Sequence, residues 1–199
     1  MLDRLYLRFD ALADKHDVFK IETIGDAFIG VTNLVKDQDD HVKRIAEFAI
    51  DCIEAARQTQ ICLEEPSMGH VIIRVGFHSG PVIASVVGSR LPKYTILGDS
   101  VNTAARMESN SLPGRMQCTQ QSARLLAAQC PAIPIAPRGE ISIKGKGEMV
   151  TFWINEVSSK SRKHLLPSND SKKDVKKSPP RATKETAPEA QDKDIEAQE

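Results

Sequence analysis

The chain has 199 residues, 40% of them hydrophobic, and its 27 Lys and Arg balance 27 Asp and Glu, which fits one globular domain with extra polypeptide and gives no support for nucleic-acid binding. Cys52, Cys62, Cys118 and Cys130 form no C-x-x-C pair, so reduced thiols are expected, with neither a disulfide framework nor structural zinc. No apolar run approaches the roughly 20 residues needed to span a bilayer, and the start Met1-Leu-Asp-Arg-Leu-Tyr6 is too charged for a signal peptide.

Leu2, Leu5, Tyr6, Phe9 and Leu12 recur at helical spacing and predict a first amphipathic helix. Val18 to Glu22 and Ala27 to Val31 are short apolar runs around Thr23-Ile24-Gly25-Asp26, predicting a hairpin with Asp26 at its tip. After the start signal Asp39-Asp40, the positions Val42, Ile45, Ala46, Ala49, Ile53 and Ala56 predict a second helix that covers a sheet face. Val71 to Phe77 and Val82 to Val87 are expected to pair as another hairpin around Ser79-Gly80-Pro81. A helix from Asp99 to Glu108, opened by Gly98, follows, and strand-helix-strand pieces ending at Thr151 to Val157 complete an α+β domain with helices largely on one sheet face.

Composition changes after Val157: Ser, Lys, Pro, Glu, Asp and Gln dominate and aromatic residues disappear. Residues 158–199 are expected to be a disordered charged tail, with nine Lys or Arg against two Asp in 160–184 and six acidic residues against Lys193 in 185–199. A basic block of this kind is expected to be a solvated linker, the other reading being contact with acidic lipid or nucleic acid.

Four segments carry a resemblance: Lys20-Ile-Glu-Thr-Ile-Gly-Asp-Ala-Phe28, Arg74-Val-Gly-Phe-His-Ser-Gly80, Tyr94-Thr-Ile-Leu-Gly-Asp-Ser-Val-Asn-Thr-Ala-Ala-Arg-Met-Glu-Ser109 and Ile143-Lys-Gly-Lys-Gly147. Their order over about 150 residues resembles the catalytic domain of class III nucleotide cyclases, most of all the receptor-type guanylate cyclases. The resemblance implies a ferredoxin-like βαββαβ core, a mainly antiparallel sheet with packed helices, and a head-to-tail dimer whose active sites draw on both chains. In the family a central strand bearing a first metal aspartate, in a Phe-Ser-Asp-Ile-x-Gly-Phe-Thr-like sequence, precedes the first helix. That N-terminal central strand is missing from residues 1–157, which therefore read as a partial catalytic domain.

The implied reaction is attack of a ribose 3′ oxygen on the α-phosphate of GTP, giving cyclic GMP and pyrophosphate, with two Mg²⁺ or Mn²⁺ ions. Asp26 matches the family's second metal aspartate. Asn102 and Arg106, four residues apart on one helix face, match the Asn that positions the ribose and the Arg that stabilises charge on the α-phosphate. Lys144 matches the lysine on the terminal phosphate, and Lys146 reads as a neighbour without that role. Glu22 matches the base-selecting position: a carboxylate accepts from guanine N1–H and the 2-amino group, whereas adenine N1 is itself an acceptor. Thr95 occupies the second base position, where guanylate cyclases commonly carry Cys and many adenylate cyclases Asp or Thr, so the pair is mixed.

Without the motifs, each residue has a plainer role: Asp26 a turn residue, Glu22 a strand carboxylate paired with Lys20 or Arg74, Arg106 a surface ion pair, Lys144 a loop charge. His78 reads as a structural residue at a strand end, and His16, His41 and His70 have no ligand spacing. Phe152 and Trp153 are expected to pack the last strand, and Leu91-Pro-Lys-Tyr94 to face a dimer partner. Two other functions stay open: an adenylate cyclase making cyclic AMP, and a catalytically incompetent homologue acting in dimerisation or regulation. An RNA-binding reading of the same core lacks exposed aromatic pairs and a basic sheet. By resemblance the catalytic region faces the cytoplasm, in a parent protein tethered to a membrane.

Overall fold

The computed structural model describes residues 1–156, and of residues 22–24 the backbone alone. The expected tail at 158–199, and the last residue of the expected final strand, Val157, lie outside the described residues. In chain order the elements are α1 (Leu2–His16), β1 (Phe19–Ile24), β2 (Ala27–Val31), α2 (His41–Arg57), β3 (Val75–Phe77), β4 (Ile83–Val87), β5 (Lys93–Leu97), α3 (Asp99–Ser109), β6 (Met116–Thr119), α4 (Gln120–Gln129), β7 (Ile135–Ile143) and β8 (Gly147–Ile154). None of the helices is long and apolar enough to cross a membrane, among the described residues.

The strands form a four-stranded sheet in the order β3-β6-β8-β7 and two separate hairpins, β1-β2 and β4-β5. Every pairing is antiparallel except β3 with β6. Alternation along the central strands divides the helices between two faces. Phe77, Met116 and Cys118 pack with Val42, Ala46, Ala49 and Ile53 of α2 and with Ala123 and Leu126 of α4. Burial among these side chains pushes the Cys118 thiol up to about 12. Gly76 and Gln117, paired in register on the other face, meet α3 instead: Gln117 Nε2 lies 3.5 Å from Met107 Sδ. α3 is therefore the exception to the expectation that helices share one face. A second cluster joins Leu5, Phe9 and Ala13 of α1 to Phe48, Cys52 and Ala56 of α2, with Phe28 of β2 stacked edge-on to Phe9 at 5.6 Å.

Both long helices match their sequence patterns because the apolar stripe is what they bury. The start of α2 is completed from far away. Its N-cap Asp40 makes no side-chain cap bond, and Gln129, at the end of α4, accepts from Val42 N at 2.9 Å and Lys43 N at 3.0 Å while donating to Asp39 O. Phe152 and Trp153 pack β8 as expected, and Trp153 also receives two guanidiniums, Arg115 at 3.9 Å and Arg138 at 4.5 Å from the ring centre.

The hairpin expected between 71–77 and 82–87 does not form. β3 is only three residues long and pairs with β6, while β4 pairs with β5, a strand not among the expected elements. The reason lies in residues 78–81. His78 Nδ1 contacts Thr119 Oγ1 at 2.9 Å, Ser79 N donates to Ser122 Oγ at 2.8 Å, and Ser100 Oγ donates to the Pro81 carbonyl at 2.7 Å. These bonds carry the segment toward α3 and α4, so Ser79-Gly80-Pro81 crosses between layers and does not reverse the chain within one.

Candidate active site

α3 follows β5 directly. Gly98, at φ 135°, makes the turn into the helix, and Asp99 in the first turn complements the positive end of the helix dipole. Ser100, Thr103 and Met107 are buried against the sheet. The opposite stripe, Asp99, Asn102 and Arg106 at i, i+3 and i+7, is exposed. Close packing fixes the helix: a Cβ on Gly76 would sit 1.9 Å from Glu108 N. Arg74 Nε donates to Glu108 Oε1 at 3.0 Å and Asn110 Nδ2 to the Arg106 carbonyl at 2.9 Å, holding the C-terminal end.

Thr95 is half-buried on β5, opposite Ser85, seven residues before Asn102. Glu22 lies on β1 opposite Ile29, and its side chain is outside the described residues. β1 carries a bulge between Lys20 and Glu22, which offsets the strand's alternation at that point. The rings of Phe19 and Tyr94 meet edge-on at 5.7 Å and place β1 beside β5, so the strands bearing Glu22 and Thr95 are neighbours. Lys144 is exposed in the turn between β7 and β8, just after buried Ile143. In the same turn the Lys146 ammonium pairs with the Asp99 carboxylate, which brings the turn to the N-terminal end of α3.

Asp26 is exposed at the tip of the β1-β2 hairpin, second in a two-residue turn whose first residue, Gly25, has φ 63°. No hydrogen bond or ion pair joins it to Thr95, Asn102, Arg106 or Lys144 among the described residues. Among the described residues, no group of three His, Cys, Asp or Glu side chains gathers there. Asp26 thus offers one hard oxygen ligand, and the described residues do not complete a metal site around it. Two surface grooves, one lined by Arg4, Arg8, Gln58 and His70 and one by Asp14, Asp17, Asn33 and Lys36, contain none of the candidate residues.

The family assignment rests on sequence as well as shape. The adenylate and guanylate cyclase catalytic domain family matches residues 1–156. The chain belongs to this family. The cyclase domain is 42% identical over 155 residues to rat guanylate cyclase soluble subunit beta-2, covering 77% of the chain and 22% of that protein. It is 38% identical over 154 residues to the receptor-type guanylate cyclase gcy-28 of Caenorhabditis elegans, covering 77% and 12%. It also superposes on the guanylate cyclase domain of RhGC from Catenaria anguillulae, crystallised in complex with GTP, with a TM-score of 0.70 at 37% identity, covering 77% of the chain and 80% of that domain. The cyclase domain thus spans less than a quarter of the length of these two curated relatives.

Beside α3, His78 is held in the domain by the contact of its Nδ1 with Thr119 Oγ1. Burial, and then the nearby Lys146 charge, push its imidazole below the ordinary histidine range, while Asp99 opposes them. A depressed histidine is neutral in the folded domain where the unfolded chain already binds a proton, so stability is full above the unfolded pKa of about 6.5 and falls as pH drops through the folded one. Urea midpoints are expected to decline as pH falls below about 6.5. The decline should flatten in His78→Gln, and an unchanged slope in that variant would assign it elsewhere. Asp17 and Asp40, held low by hydrogen bonds from Lys36 and Arg44, lose their contributions only at more acidic pH.

Proposed function

We propose that this chain is the catalytic region of a guanylate cyclase, forming cyclic GMP and pyrophosphate from GTP in intracellular signal transduction. One observation carries the reading. Asn102 and Arg106 share the exposed stripe of α3, with the strand of Thr95 entering that helix and the Lys144 turn tied to its first residue. In this reading Asn102 orients the ribose so that its 3′ oxygen lies in line with the α-phosphate, and the Arg106 fork stabilises the charge that develops there. Lys144 takes the terminal phosphate, and Glu22 and Thr95 take the guanine edge. Mg²⁺ or Mn²⁺, when bound, would neutralise the triphosphate, with Asp26 as one ligand.

Partner and setting belong to the same proposal. Thr95, Asn102, Arg106 and Lys144 face solvent or lie half-buried, whereas charge stabilisation of this kind needs water excluded. The β4-β5 hairpin beside them is apolar and open: Ile83, Val86 and Leu91 are 69%, 62% and 82% exposed. A second cyclase chain docked head-to-tail on this face would cover both. The reading takes residues 1–157 as the catalytic domain, 158–199 as a charged tail, and the cytoplasm as its location, with a membrane-anchored parent in the receptor-type case.

The experiment measures cyclic nucleotide formation from GTP and ATP with Mn²⁺, in the native chain, in a chain extended upstream by the family's first strand, and in Glu22→Lys. The lost charge-assisted contact is expected to lower GTP turnover by about 10- to 100-fold, corresponding to about 1.5–3 kcal/mol. Preference for ATP in the unsubstituted chains would overturn the assigned base. That no group of three His, Cys, Asp or Glu side chains gathers around Asp26 among the described residues favours a second reading, a non-catalytic partner chain. Silence with both nucleotides in a folded, dimeric, extended chain would select it.

A further inference from the structure

The turn between β7 and β8 holds two lysines that the fold treats differently. Lys144 is exposed, whereas the Lys146 side chain is only 23% exposed and its ammonium pairs with Asp99, 47 residues earlier. The backbone around them is permissive. Gly145 and Gly147 have φ of 79° and 76°, and a Cβ on either would meet nothing within 4 Å. Beyond the strand ladder, the backbone bond recorded for the turn is Lys146 N to the Ile143 carbonyl, 2.9 Å. A glycine-flanked turn held this lightly populates many conformations unless something outside it selects one.

Asp99 is that outside anchor. It begins the exposed stripe of α3, with Asn102 about 4.5 Å and Arg106 about 10.5 Å further along the axis at 1.5 Å per residue. Tying Lys146 to Asp99 therefore fixes the turn at the N-terminal end of the face on which the other two polar candidates stand. The same contact neutralises Lys146, leaving Lys144 as the cation of the turn with no acidic partner among the described residues.

We propose that Lys146 is a positioning residue: its ion pair with Asp99 sets the glycine-flanked turn so that Lys144 meets the terminal phosphates of a nucleoside triphosphate lying along α3. The proposal rests on the reading of Lys144 as the phosphate contact. It differs from a direct phosphate role for Lys146 in one respect: freeing Lys146 from Asp99 should weaken triphosphate binding and not strengthen it.

Calorimetric titration of the full chain with GTP and with GMP, in Mn²⁺, separates the possibilities without needing turnover. Lys144→Ala is expected to weaken GTP binding about tenfold, the loss of one charge-assisted contact, and to leave GMP unchanged. Lys146→Met and Asp99→Asn are each expected to weaken GTP about fivefold with GMP unchanged, and Lys146→Arg to stay within about twofold of native. The double variant Lys144→Ala, Lys146→Met should bind no more weakly than Lys144→Ala alone, because Lys146 acts through Lys144. Several outcomes overturn the proposal: additive losses in the double variant, tighter GTP binding by Asp99→Asn, equal losses for GTP and GMP, or a silent Lys146→Met beside an effective Lys144→Ala. If Lys144→Ala is silent too, or the native chain binds no GTP, the phosphate reading of Lys144 falls with it.

Discussion

Arg106→Ala is expected to lower cyclic GMP formation by about 10²–10³-fold, the loss seen when one preorganised donor to a developing charge is removed. The side chain stands on the exposed stripe of α3, so truncation leaves the buried contacts of Ser100, Thr103 and Met107 intact. Its backbone carbonyl, which accepts from Asn110, is also untouched. Stability should therefore move by no more than about 0.5 kcal/mol, as for other surface substitutions. Arg106→Lys should recover little, because a single ammonium cannot reproduce the planar fork. Steady-state assays with GTP, beside urea unfolding of the same preparations, check both halves. A loss under about tenfold in a folded variant would remove Arg106 from the transition state.

The second large effect is on stability. In Gly76→Ala the added methyl would lie 1.9 Å from Glu108 N and 2.2 Å from the Met107 carbonyl carbon, backbone atoms that no rotamer change can move. Relief requires α3 to lift from the sheet, exposing Met107 and loosening Gln117, both fully buried. A cost of about 3 kcal/mol is expected, the upper end of overpacking, read as a lower urea midpoint with an unchanged slope. Because α3 carries Asn102 and Arg106, activity under conditions where the variant is still folded should fall as well. A loss near 1 kcal/mol, the mere difference in chain entropy and fit, would mean that α3 is not seated on Gly76.

The helices were legible in the sequence because each buries one stripe whose spacing is local information. Leu5, Tyr6, Phe9 and Leu12 mark α1, and Val42, Ala46, Ala49 and Ile53 mark α2. The β1-β2 hairpin was legible from Gly25-Asp26. What failed was decided at long range. Nothing near Ser79-Gly80-Pro81 announces that Thr119, Ser122 and Ser100 will claim that loop, so its turn chemistry read as a hairpin. β5 could have been found, since Tyr94, Thr95 and Ile96 are strand-forming residues bounded by Pro92 and Gly98. The candidate site rests on motifs, which assign chemistry without geometry. The pairing of Lys146 has no local signal because its partner is 47 residues distant in sequence, and the bulge at Ile21 has no compositional signal.

The amide of Gln129 has a further consequence. A helix end ordinarily frays alone, its outermost bonds opening and closing independently of the rest of the molecule. Here the last turn of α4 supplies the acceptor for two amides in the first turn of α2 and a donor to the carbonyl just before it. Melting the end of α4 strips the cap from α2, and melting the start of α2 leaves the Gln129 amide without partners. Two termini separated by more than 80 residues thus open as a single cooperative unit, coupling the last turn of one helix to the first turn of the helix that walls both hydrophobic clusters.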